Sequence, residues 1–510
     1  MSVLLGFYLG LHDSNVAVSI DGQIKYAKSE RRTGIKHHRA DLSFVTNICR
    51  EWNIEAVDAL CFSDGNRNGL GICPEGQLWC EVPPIPGLPT VPTFCIDHHY
   101  CHMLSAWPLV DLSNVHKAFA IDGRGDHGVR RCVVSYPGSS SPQIEYSDTN
   151  VTMGPLLEGI GRLMGLSCGE KWTPETIDVA GKIMGAHAYG RVDDAYIASV
   201  NLRHVRKNME ELVTALPWRG SVPIEDKAFF SFGNPSFRDW LASIHTIIDL
   251  EIVEFFHQHA SAKDVIIYSG GCAQNVVCNE TLFRQFPNLV IPPHCYDGGL
   301  SLGAIELLRS LRCEQPFQND GFPYWQDDAE RNLPSETVLA RVVEILAKGG
   351  IVGWFQGQGE IGPRALGNRS ILMNPTLKDG KDTLNSRVKH RESWRPFGAT
   401  ILENSTNEWV GQTLNSPYML RAIKMEDSVC KAIPSVIHVD GTCRFQTVHD
   451  RQNPLFAELL ERFNRLTGIP ILLNTSLNGG GQPIFANADQ CRLFKQKVDI
   501  DTIVVGDSFL

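Results

Sequence analysis

The feature that most constrains the fold of this chain is a strand–turn–strand pattern that occurs twice, each time with glycine and acidic residues in the turn. Apolar runs at residues 3–10 and 15–20 flank "GLHDS", and "KAFAIDGRGDHGVRRCVVSY" at 117–136 repeats the arrangement. A third segment, "DVIIYSGGCAQNVVCNETLF" at 264–283, has the pattern of a strand, a Gly-Gly turn and a helix. These units predict a duplicated α/β domain that encloses a nucleotide. Ordinary hairpins are the alternative, because they also use Asp-Gly turns.

The length of the chain predicts more than one domain. At 510 residues it is long enough for about two to four domains. The segment at 315–336, "QPFQNDGFPYWQDDAERNLPSE", is polar and interrupted by prolines, so we expect a linker there. The following segment, "ETVLARVVEILAKGGIVGWFQG", has the pattern of an amphipathic helix, a glycine stop and a strand.

Charge and cysteine content narrow the class of protein. The net charge is −10 and no Lys/Arg tract stands out, which weakens a reading based on non-specific binding to nucleic acid or anionic membranes. The 15 cysteines include no Cys-x-x-Cys pair, which argues against a zinc ribbon and a disulfide scaffold. The N-terminal segment lacks a basic leader, and no apolar run reaches about 18 residues. We therefore expect a cytoplasmic protein.

A His-x-x-x-His pair lies in "FCIDHHYCHMLSA" at 94–106. On a helix His98 and His102 share one face, so both rings could bind one metal ion. The alternative is a helix that begins after Asp97 as its cap and carries surface histidines. Asp297 precedes Gly-Gly in "PPHCYDGGLSLGA", and Asp122 ends a strand. Two histidines with one or two carboxylates suit Fe(II), Zn or Mn.

Glycine-rich turns and arginine-rich segments are candidates for phosphate binding. "SGGCAQN" at 269–275 presents backbone amides before a helix, and Asn275 could bond a sugar or base, although tight turns alone would explain the glycines. Arginines flanked by small polar residues recur in the last third of the chain, where surface salt bridges are the alternative. The segments are "GEIGPRALGNRSILMNP" at 359–375, "RVKHRESWRPFG" at 387–398, "DGTCRFQTV" at 440–448 and "LLNTSLNGGGQPI" at 472–484.

Taken together, these motifs resemble the O-carbamoyltransferase family of nodulation-factor and antibiotic-tailoring enzymes. The resemblance covers nearly the whole chain, and "GPRALGNRSI" and "NTSLN" are its most specific parts. It implies an α/β protein with an N-terminal actin-like ATPase domain, similar to threonylcarbamoyl transferases, over about 1–330. It also implies a C-terminal adenylate-forming domain, resembling threonylcarbamoyl-adenylate synthase, over about 337–510. Carbamoyl phosphate and ATP would react in the second domain to give carbamoyl-adenylate and pyrophosphate, and a substrate hydroxyl would take the carbamoyl group in the first.

The resemblance also assigns residues. The metal, expected to be iron, would be bound by His98, His102 and Asp297 with Asp122 close by, and His12 would deprotonate the acceptor. Besides ATP, Mg²⁺ is a candidate cofactor. The nucleotide would contact Gly270, Gly271 and Asn275. Carbamoyl phosphate and the ATP phosphates would be handled by Lys36, Arg364, Asn368, Arg369, Lys389, Arg391, Arg444, Ser476 and Asn478.

The sequence also departs from the family pattern. Ala180 replaces the usual Glu before Gly-Lys in "DVAGK", where Asp178 is a substitute carboxylate, and "GGCAQN" differs from the usual nucleotide turn. These departures indicate a divergent branch. The acceptor by default is a hydroxyl of a small metabolite or sugar. A hydroxymethyl pyrimidine, free or in DNA, is the alternative acceptor. The basic stretch "NLRHVRKN" at 201–208 could bind such a polyanionic substrate, although its composition also suits a solvated helix face.

A homodimer is one candidate assembly of this chain. Two other functions are alternatives to carbamoyl transfer. A threonylcarbamoyl-type tRNA enzyme shares both domain types, but the net charge of −10 counts against it. A non-catalytic nucleotide-binding regulator would leave the C-terminal Arg, Ser and Asn residues unexplained.

Overall fold

A computed structural model describes residues 2–65, 68–136, 141–150, 152–166, 174–200 and 228–510. The basic stretch at 201–208 lies outside the described residues. The chain divides into two compact units, the first formed by residues 1–29 and 37–319 and the second by residues 30–36 and 320–510. The main division falls within the segment 315–336 that the sequence marks as a linker. No pattern in the sequence indicates that residues 30–36 belong to the second unit.

The first sheet of the first unit has six strands in the order β3-β2-β1-β4-β6-β5. Its strands are β1 Val3–Tyr8, β2 Asn15–Ile20, β3 Gln23–Lys28, β4 Ala59–Ser63, β5 Trp79–Val82 and β6 Thr93–Ile96. β1 pairs antiparallel with β2 and parallel with β4, so the predicted strand–turn–strand unit lies beside a parallel strand. One face is a core in which Phe7 stacks on Phe62 with 5.6 Å between ring centroids.

The second sheet of this unit has five strands in the order β11-β10-β7-β8-β9. Its strands are β7 Lys117–Ile121, β8 Arg131–Ser135, β9 Gln143–Asp148, β10 Ile266–Ser269 and β11 Leu289–Val290. β7 pairs antiparallel with β8 and parallel with β10, which repeats the relationship among β1, β2 and β4. The predicted repetition of the strand–turn–strand unit is therefore confirmed. Asp122 and Gly270 directly follow the parallel strands β7 and β10, so they meet at one sheet edge.

Helices complete the α/β character of the first unit. They are α2 Leu42–Glu51, α3 His98–Leu104, α4 Met153–Leu163, α5 Pro174–Ile183, α6 Asp194–Ser199, α7 Pro235–His259, α8 Val276–Gln285 and α9 Leu300–Leu311, preceded in the chain by α1 Ser29–Thr33. Helix α9 lies against β1 at Gly6, where a Cβ atom would be 2.4 Å from the carbonyl oxygen of Ser301. Among the described residues, none of the helices has the length and apolar character needed to cross a bilayer.

The second unit is built on a mixed eight-stranded sheet in the order β15-β16-β14-β17-β13-β12-β18-β19. Its strands are β12 Val352–Phe355, β13 Arg369–Met373, β14 Gly398–Leu402, β15 Ala422–Lys424, β16 Thr442–Val448, β17 Ile471–Ser476, β18 Thr502–Val505 and β19 Ser508–Phe509. Its helices are α10 Glu336–Ala347, α11 Gly380–Leu384, α12 Thr406–Val410, α13 Asp427–Ala432, α14 Pro454–Thr467 and α15 Ala488–Lys495. The helix and strand predicted after the linker are α10 and β12.

Both faces of this sheet are covered, because successive side chains of a strand point to opposite faces. In β13, Leu372 belongs to the core that contains α10 and α14, whereas Ile371 and Met373 belong to the opposite core. A π-helical turn over Asn385–Lys389 follows α11 and ends at His390, whose φ of 44° is left-handed. This turn places Lys389 in the interior, where it is 2% exposed.

Candidate functional site

Four side chains of the first unit converge on one point. His98 and His102 lie on one face of α3, whose cap is Asp97, and Asp122 and Asp297 lie after β7 and before α9. Their four candidate ligand atoms are all within 4.8 Å of one another. His98 and His102 are buried, as is the rest of α3, so the alternative of surface histidines is wrong. The Asp97 cap, which accepts a hydrogen bond from the Tyr100 amide at 2.9 Å, is confirmed.

Asp122 presents one oxygen to the imidazoles and has the other held by the backbone. Oδ1 accepts hydrogen bonds from the amides of Gly123 at 2.6 Å and Gly271 at 3.1 Å. Oδ2 lies 3.1 Å from Nε2 of His98 and 3.0 Å from Nε2 of His102. Burial raises the pKa of Asp122, but the two histidines more than offset this and hold the pKa well below its usual range. The carboxylate is therefore ionised and oriented.

Asp297 is arranged in the same way. The Tyr8 hydroxyl donates a hydrogen bond to Oδ2 at 2.5 Å, while Oδ1 lies 3.6 Å and 3.4 Å from the two imidazole Nε2 atoms. Asn15 fixes the backbone here, because its Nδ2 donates to the Asp297 carbonyl at 2.9 Å and its Oδ1 accepts from the Ser301 amide at 2.9 Å. Two imidazole nitrogens and two carboxylate oxygens, each carboxylate held from behind, fit a divalent metal such as Fe(II), Zn or Mn.

His12 lies at the edge of this cluster. Its Nδ1 is 2.8 Å from Oδ2 of Asp13 and 3.7 Å from Oδ2 of Asp297, and its side chain is 23% exposed. Burial lowers the pKa of His12, but Asp297 and Asp13 raise it by more, so the net shift is upward. With Nδ1 hydrogen-bonded to Asp13, Nε2 is the ring nitrogen that is left to accept a proton.

The turn at Gly270 and Gly271 supports Asp122. Gly270 has a left-handed φ of 91°, and a Cβ atom there would lie 2.3 Å from the carbonyl oxygen of Ile121. Only glycine allows this close approach of β10 to β7. The Gly271 amide donates to Asp122 and so orients a carboxylate, while the nucleotide contact of this turn stays a prediction.

Asn275, which the sequence assigned to the nucleotide, has its hydrogen bonds taken within the fold. Its Oδ1 caps α8 by accepting from the amides of Val277 at 3.1 Å and Cys278 at 3.3 Å. Its Nδ2 faces Met153 Sδ and His245 Nε2, each at 3.2 Å. The residue is 5% exposed. The side-chain amide of Asn275 is therefore engaged in capping a helix, and the nucleotide contact stays a prediction.

The same geometry argues against a second metal site at His245, Asp249 and Cys278, whose polar atoms also cluster. Because the cap fixes Asn275, its amide nitrogen donates to Nε2 of His245, and Nδ1 must then carry the proton of the neutral ring. Burial lowers the pKa of His245 well below its usual value, which keeps the ring neutral. A protonated Nδ1 cannot bind a metal.

In the second unit, Lys389 is held in the interior by oxygen atoms. Its Nζ donates to Asn478 Oδ1 at 2.8 Å, to the Asn478 carbonyl at 3.0 Å and to the Ser476 carbonyl at 2.5 Å. Ser476 Oγ also donates to Asn478 Oδ1 at 2.7 Å. Ser476 and Asn478 are thus brought to Lys389, as the sequence grouped them, and they orient its ammonium group.

Lys389 belongs to a cluster of positive charges. Burial, then Arg391, Arg395 and Lys36, hold its pKa well below the usual value. Burial and Arg395 lower the pKa of Arg391 to about 9, although Glu392 opposes this shift. Burial, Arg364 and Arg391 likewise hold the pKa of Arg444 well below its usual value. We call this set the cationic cluster; its members are Lys36, Arg364, Lys389, Arg391, Arg395 and Arg444. Mutual repulsion of this kind is relieved when an anion binds.

Arg369 is not part of the cationic cluster, because its guanidinium is engaged within the fold, and its role as a phosphate ligand stays a prediction. Its Nη1 donates to the Gln356 carbonyl at 2.6 Å, and its Nη2 donates to the Gly357 carbonyl at 3.0 Å and to Asp328 Oδ1 at 3.1 Å. The guanidinium carbon lies 3.7 Å from the centroid of the Phe355 ring, and the side chain is fully buried. The residue supports the sheet.

The side-chain amide of Asn368, which precedes Arg369, is also hydrogen-bonded within the second unit. Its Nδ2 donates to the Gln358 carbonyl at 2.8 Å, and its Oδ1 accepts from Asn453 Nδ2 at 2.9 Å. The "GNRS" motif is therefore explained by architecture, and Arg364, which precedes it, is the part of the segment that joins the cationic cluster.

Comparisons with known proteins decide the family. Residues 89–305 match the family described as carbamoyltransferase N-terminus, and residues 343–510 match the family described as carbamoyltransferase C-terminus. The chain belongs to the carbamoyltransferase family. The resemblance stated from the motifs and the prediction of a carbamoyltransferase enzyme are both confirmed.

Named relatives of this carbamoyltransferase include nodulation proteins and an O-carbamoyltransferase. Nodulation protein NolO of Bradyrhizobium diazoefficiens is 28% identical over 445 residues, which cover 81% of this chain and 78% of that protein. Nodulation protein NolNO of Sinorhizobium fredii is 32% identical over 293 residues, or 53% of this chain and 43% of that protein. The 3'-hydroxymethylcephem-O-carbamoyltransferase of Amycolatopsis lactamdurans is 29% identical over 348 residues, or 65% of this chain and 64% of that protein.

Solved structures are more distant from this carbamoyltransferase. Component A of the (R)-2-hydroxyglutaryl-CoA dehydratase of Acidaminococcus fermentans covers 60% of this chain, and 97% of itself, at 16% identity with a TM-score of 0.36. Full-length HypF in a phosphate- and nucleotide-bound form covers 61% of this chain, and 56% of itself, at 13% identity with a TM-score of 0.32. Scores this low carry no argument about the function, and the observed architecture is a mixed α/β fold.

Several residues of the site were not predicted from the sequence. They are Tyr8, Asp13, Lys28 and His37, whereas Asp178 was predicted from the sequence as a substitute carboxylate. Tyr8 and Lys28 lie in apolar or mixed strands, where nothing in the local pattern marks a functional side chain. Asp13 did carry a signal in the sequence, because it adjoins His12 in a turn between two strands. In the structure its φ of 59° is unusual for a residue other than glycine.

Proposed function

We propose that this carbamoyltransferase activates carbamoyl phosphate with ATP in its second unit, and that it transfers the carbamoyl group of the resulting carbamoyl-adenylate to an acceptor hydroxyl in its first unit. The observation that carries this proposal is the convergence of His98, His102, Asp122 and Asp297 beside His12. That arrangement combines a metal site with a base, which is what acyl transfer to an alcohol needs.

Activation is assigned to the cationic cluster. Carbamoyl phosphate and the ATP triphosphate are both polyanions, and a site that binds them together must offset several negative charges. Lys389 and Arg391 are the best placed members, because both are held by oxygen acceptors of the fold. Arg391 donates from Nε to Asn385 Oδ1 at 2.8 Å and lies 4.4 Å over the Phe397 ring.

Formation of carbamoyl-adenylate takes two bond-breaking steps, one in carbamoyl phosphate and one in ATP. Water cleaves the phosphorus–oxygen bond of carbamoyl phosphate to give carbamate and inorganic phosphate, and a carbamate oxygen then attacks the α-phosphorus of ATP. The new oxygen–phosphorus bond forms carbamoyl-adenylate as the bond to pyrophosphate breaks. The net reaction therefore consumes one water and releases one phosphate and one pyrophosphate for each adenylate.

Transfer is assigned to the first unit. The acceptor oxygen attacks the carbamoyl carbon, the carbon–oxygen bond to AMP breaks, and the acceptor proton passes to Nε2 of His12. Asp13 accepts the hydrogen bond of Nδ1 and stabilises the imidazolium that forms. A divalent metal bound by His98, His102, Asp122 and Asp297 would supply Lewis-acid polarisation and charge neutralisation at this point. Iron is the metal that we propose.

The acceptor class that we propose is an alcohol of the hydroxymethyl type. The name of the Amycolatopsis relative contains a hydroxymethyl group, and a primary alcohol is accessible to attack on a buried carbonyl. Hydroxymethyl groups of small metabolites, sugars and modified pyrimidines all belong to this class.

The experiment measures the two half-reactions separately. The purified protein is incubated with ATP, Mg²⁺ and carbamoyl phosphate, and pyrophosphate, phosphate and AMP are quantified. We expect pyrophosphate release that depends on carbamoyl phosphate, and AMP release that accelerates when a suitable alcohol is added. Acceptors are then screened by mass spectrometry for the addition of one carbamoyl group. Pyrophosphate release that is the same without carbamoyl phosphate would disprove the proposal.

A further inference from the structure

His37 lies between two carboxylates. Its Nδ1 is 2.9 Å from Oδ2 of Asp13, and its Nε2 is 2.9 Å from Oδ1 of Asp178. A neutral imidazole has one N–H, so it can donate to only one carboxylate and would turn a lone pair toward the other. Both contacts are favourable only if the ring is an imidazolium. Consistently, although burial lowers the pKa of His37, Asp13 and Asp178 together raise it to about 10.

Asp13 is fixed from several sides. Lys28 Nζ lies 2.7 Å from Oδ1, while Oδ2 accepts from His37 at 2.9 Å and from Nδ1 of His12 at 2.8 Å. Its backbone carbonyl accepts from Asn15 Nδ2 at 2.7 Å. The left-handed φ of 59° is unfavourable for a residue other than glycine, so the surrounding contacts must hold this conformation in place.

The geometry of these contacts has a direct consequence for His12. An anionic Asp13 with a fixed carboxylate accepts the Nδ1 proton of the neutral His12 ring, and this selects the tautomer with its lone pair on Nε2. The position of the carboxylate also sets the plane of the ring. A change at Asp178 would therefore reach His12 through His37 and Asp13, and a change at His37 would act through Asp13 and also directly, because the two rings face each other with 6.3 Å between centroids.

We propose that His37 and Asp178 are positioning residues for carbamoyl transfer: their ion pair fixes Asp13, and Asp13 aims Nε2 of His12 at the acceptor hydroxyl. The inference rests on the proposed role of His12 as the base. Asp178 lies on α5 in the "DVAGK" segment, so this helix, far along the chain from the first turn, contributes to the base.

The titratable groups of the first unit that face His37 include two carboxylates and the ring of His12. Asp13 and Asp178 lie against its two nitrogens, and the His12 ring presents an edge with 6.3 Å between centroids. Lys28 acts on His37 through Asp13. The side chain of His37 is 12% exposed and that of Asp178 is 24% exposed, so their ion pair is partly shielded from water.

The experiment compares acceptors that do and do not need a base. Full-length, metal-loaded protein is supplied with ATP and carbamoyl phosphate, and AMP release is measured with water, with glycerol and with hydroxylamine. The nitrogen of hydroxylamine attacks without first losing a proton, so its reaction should not depend on His12. The variants are His37→Ala, Asp178→Ala and Asp178→Asn, and His257→Gln is the matched control, because His257 is a histidine on α7 bonded to Gln285.

We expect His37→Ala and Asp178→Ala to slow AMP release to water and glycerol by about 10- to 100-fold, since a misplacement of about 1 Å can cost this much. Release to hydroxylamine and formation of pyrophosphate should stay at the parent level. Asp178→Asn keeps an oxygen for Nε2 of His37 and should recover part of the loss. An equal loss with all acceptors would overturn the inference, because it would indicate general damage to the fold.

A second measurement does not depend on turnover. Protein labelled with ¹⁵N-histidine and loaded with diamagnetic Zn²⁺ should show His37 as an imidazolium at neutral pH, assigned by the loss of its signals in His37→Gln. A neutral His37 ring would overturn the inference even if no acceptor reacted. Conversely, a parent protein without pyrophosphate release that depends on carbamoyl phosphate would disprove the proposed function while His37 remained an imidazolium, so the two failures are distinguishable.

Discussion

The Tyr8 hydroxyl donates to Oδ2 of Asp297 across 2.5 Å, and the other oxygen of that carboxylate is left to face the imidazoles of His98 and His102. Tyr8 is the last residue of β1, and Asp297 precedes α9, which packs on the same strand. A strand that looks purely structural in the sequence thus orients a candidate metal ligand.

Tyr8→Phe should weaken metal binding without unfolding the protein. Removing a residue that orients a metal ligand costs about 10- to 100-fold in metal affinity in comparable sites. The measurement is a competition titration with a chromophoric chelator. Tyr196→Phe is the matched control, because the Tyr196 hydroxyl is buried elsewhere and accepts from Trp240 Nε1 at 3.0 Å. Equal affinities in the parent and Tyr8→Phe would show that the Tyr8 hydrogen bond does not orient a metal ligand.

His98→Ala should abolish carbamoyl transfer and leave adenylate formation intact. His98 is in the first unit, and the cationic cluster is in the second. AMP release with an acceptor and pyrophosphate release are measured in the same reaction, with His257→Gln as the control. Parallel loss of both products would contradict the assignment of the two half-reactions to different units.

His12→Asn should retain metal content and pyrophosphate release but slow transfer to an alcohol by about 100- to 10,000-fold, the usual contribution of a general base. Metal analysis and AMP release report these quantities separately. If the variant transfers at the parent rate, the proton must leave by another route, such as the phosphate of AMP.

Lys389→Ala and Arg369→Ala should fail in different ways. Loss of Lys389 removes a preorganised charge and should lower pyrophosphate release by about 100- to 1000-fold, or roughly 2.7–4 kcal/mol. Loss of Arg369 leaves Asp328 buried without its partner and should reduce the free energy of unfolding by about 3–5 kcal/mol. Denaturant unfolding and pyrophosphate release are compared for both variants. A stable Arg369→Ala protein with a specific defect in pyrophosphate release would support the predicted role of Arg369 as a phosphate ligand.

Binding of pyrophosphate should take up protons in alkaline solution. Burial, and then repulsion by Arg391, Arg395 and Lys36, hold the pKa of Lys389 well below its usual value, and a bound anion raises it. Affinity should therefore increase as the pH falls through the lowered pKa of Lys389. Calorimetry in buffers of different ionisation enthalpy measures the uptake directly. A pH-independent affinity, or proton release, would contradict the model of a strained cationic cluster.

The sequence predicted the parts of the site that local patterns encode. His98 and His102 were recognisable because a helix brings residues four apart onto one face. The glycine turns and the repeated strand–turn–strand units were recognisable for the same reason, since each is a short-range pattern. Asp122 and Asp297 are brought to the histidines only by the pairing of distant strands, and the family resemblance supplied that information.

What the sequence could not predict is how each polar side chain satisfies its hydrogen bonds. Asn275 and Arg369 have residue types that suit ligands, and their motifs look functional. In the structure one caps α8 and the other is enclosed by carbonyl oxygens. Conversely, His37 and Asp178 are 141 positions apart in the sequence. Only the tertiary fold shows that Nε2 of His37 is hydrogen-bonded to Oδ1 of Asp178.

Residues 30–36 belong to the second unit although they are encoded near the start of the chain. During translation this heptapeptide leaves the ribosome long before the strands with which it is grouped. The second unit therefore cannot be completed co-translationally from its own contiguous segment, and a protein cut anywhere between residues 37 and 319 would separate Lys36 from Lys389. Any fusion, truncation or gene split in this lineage must carry both pieces to keep the unit whole.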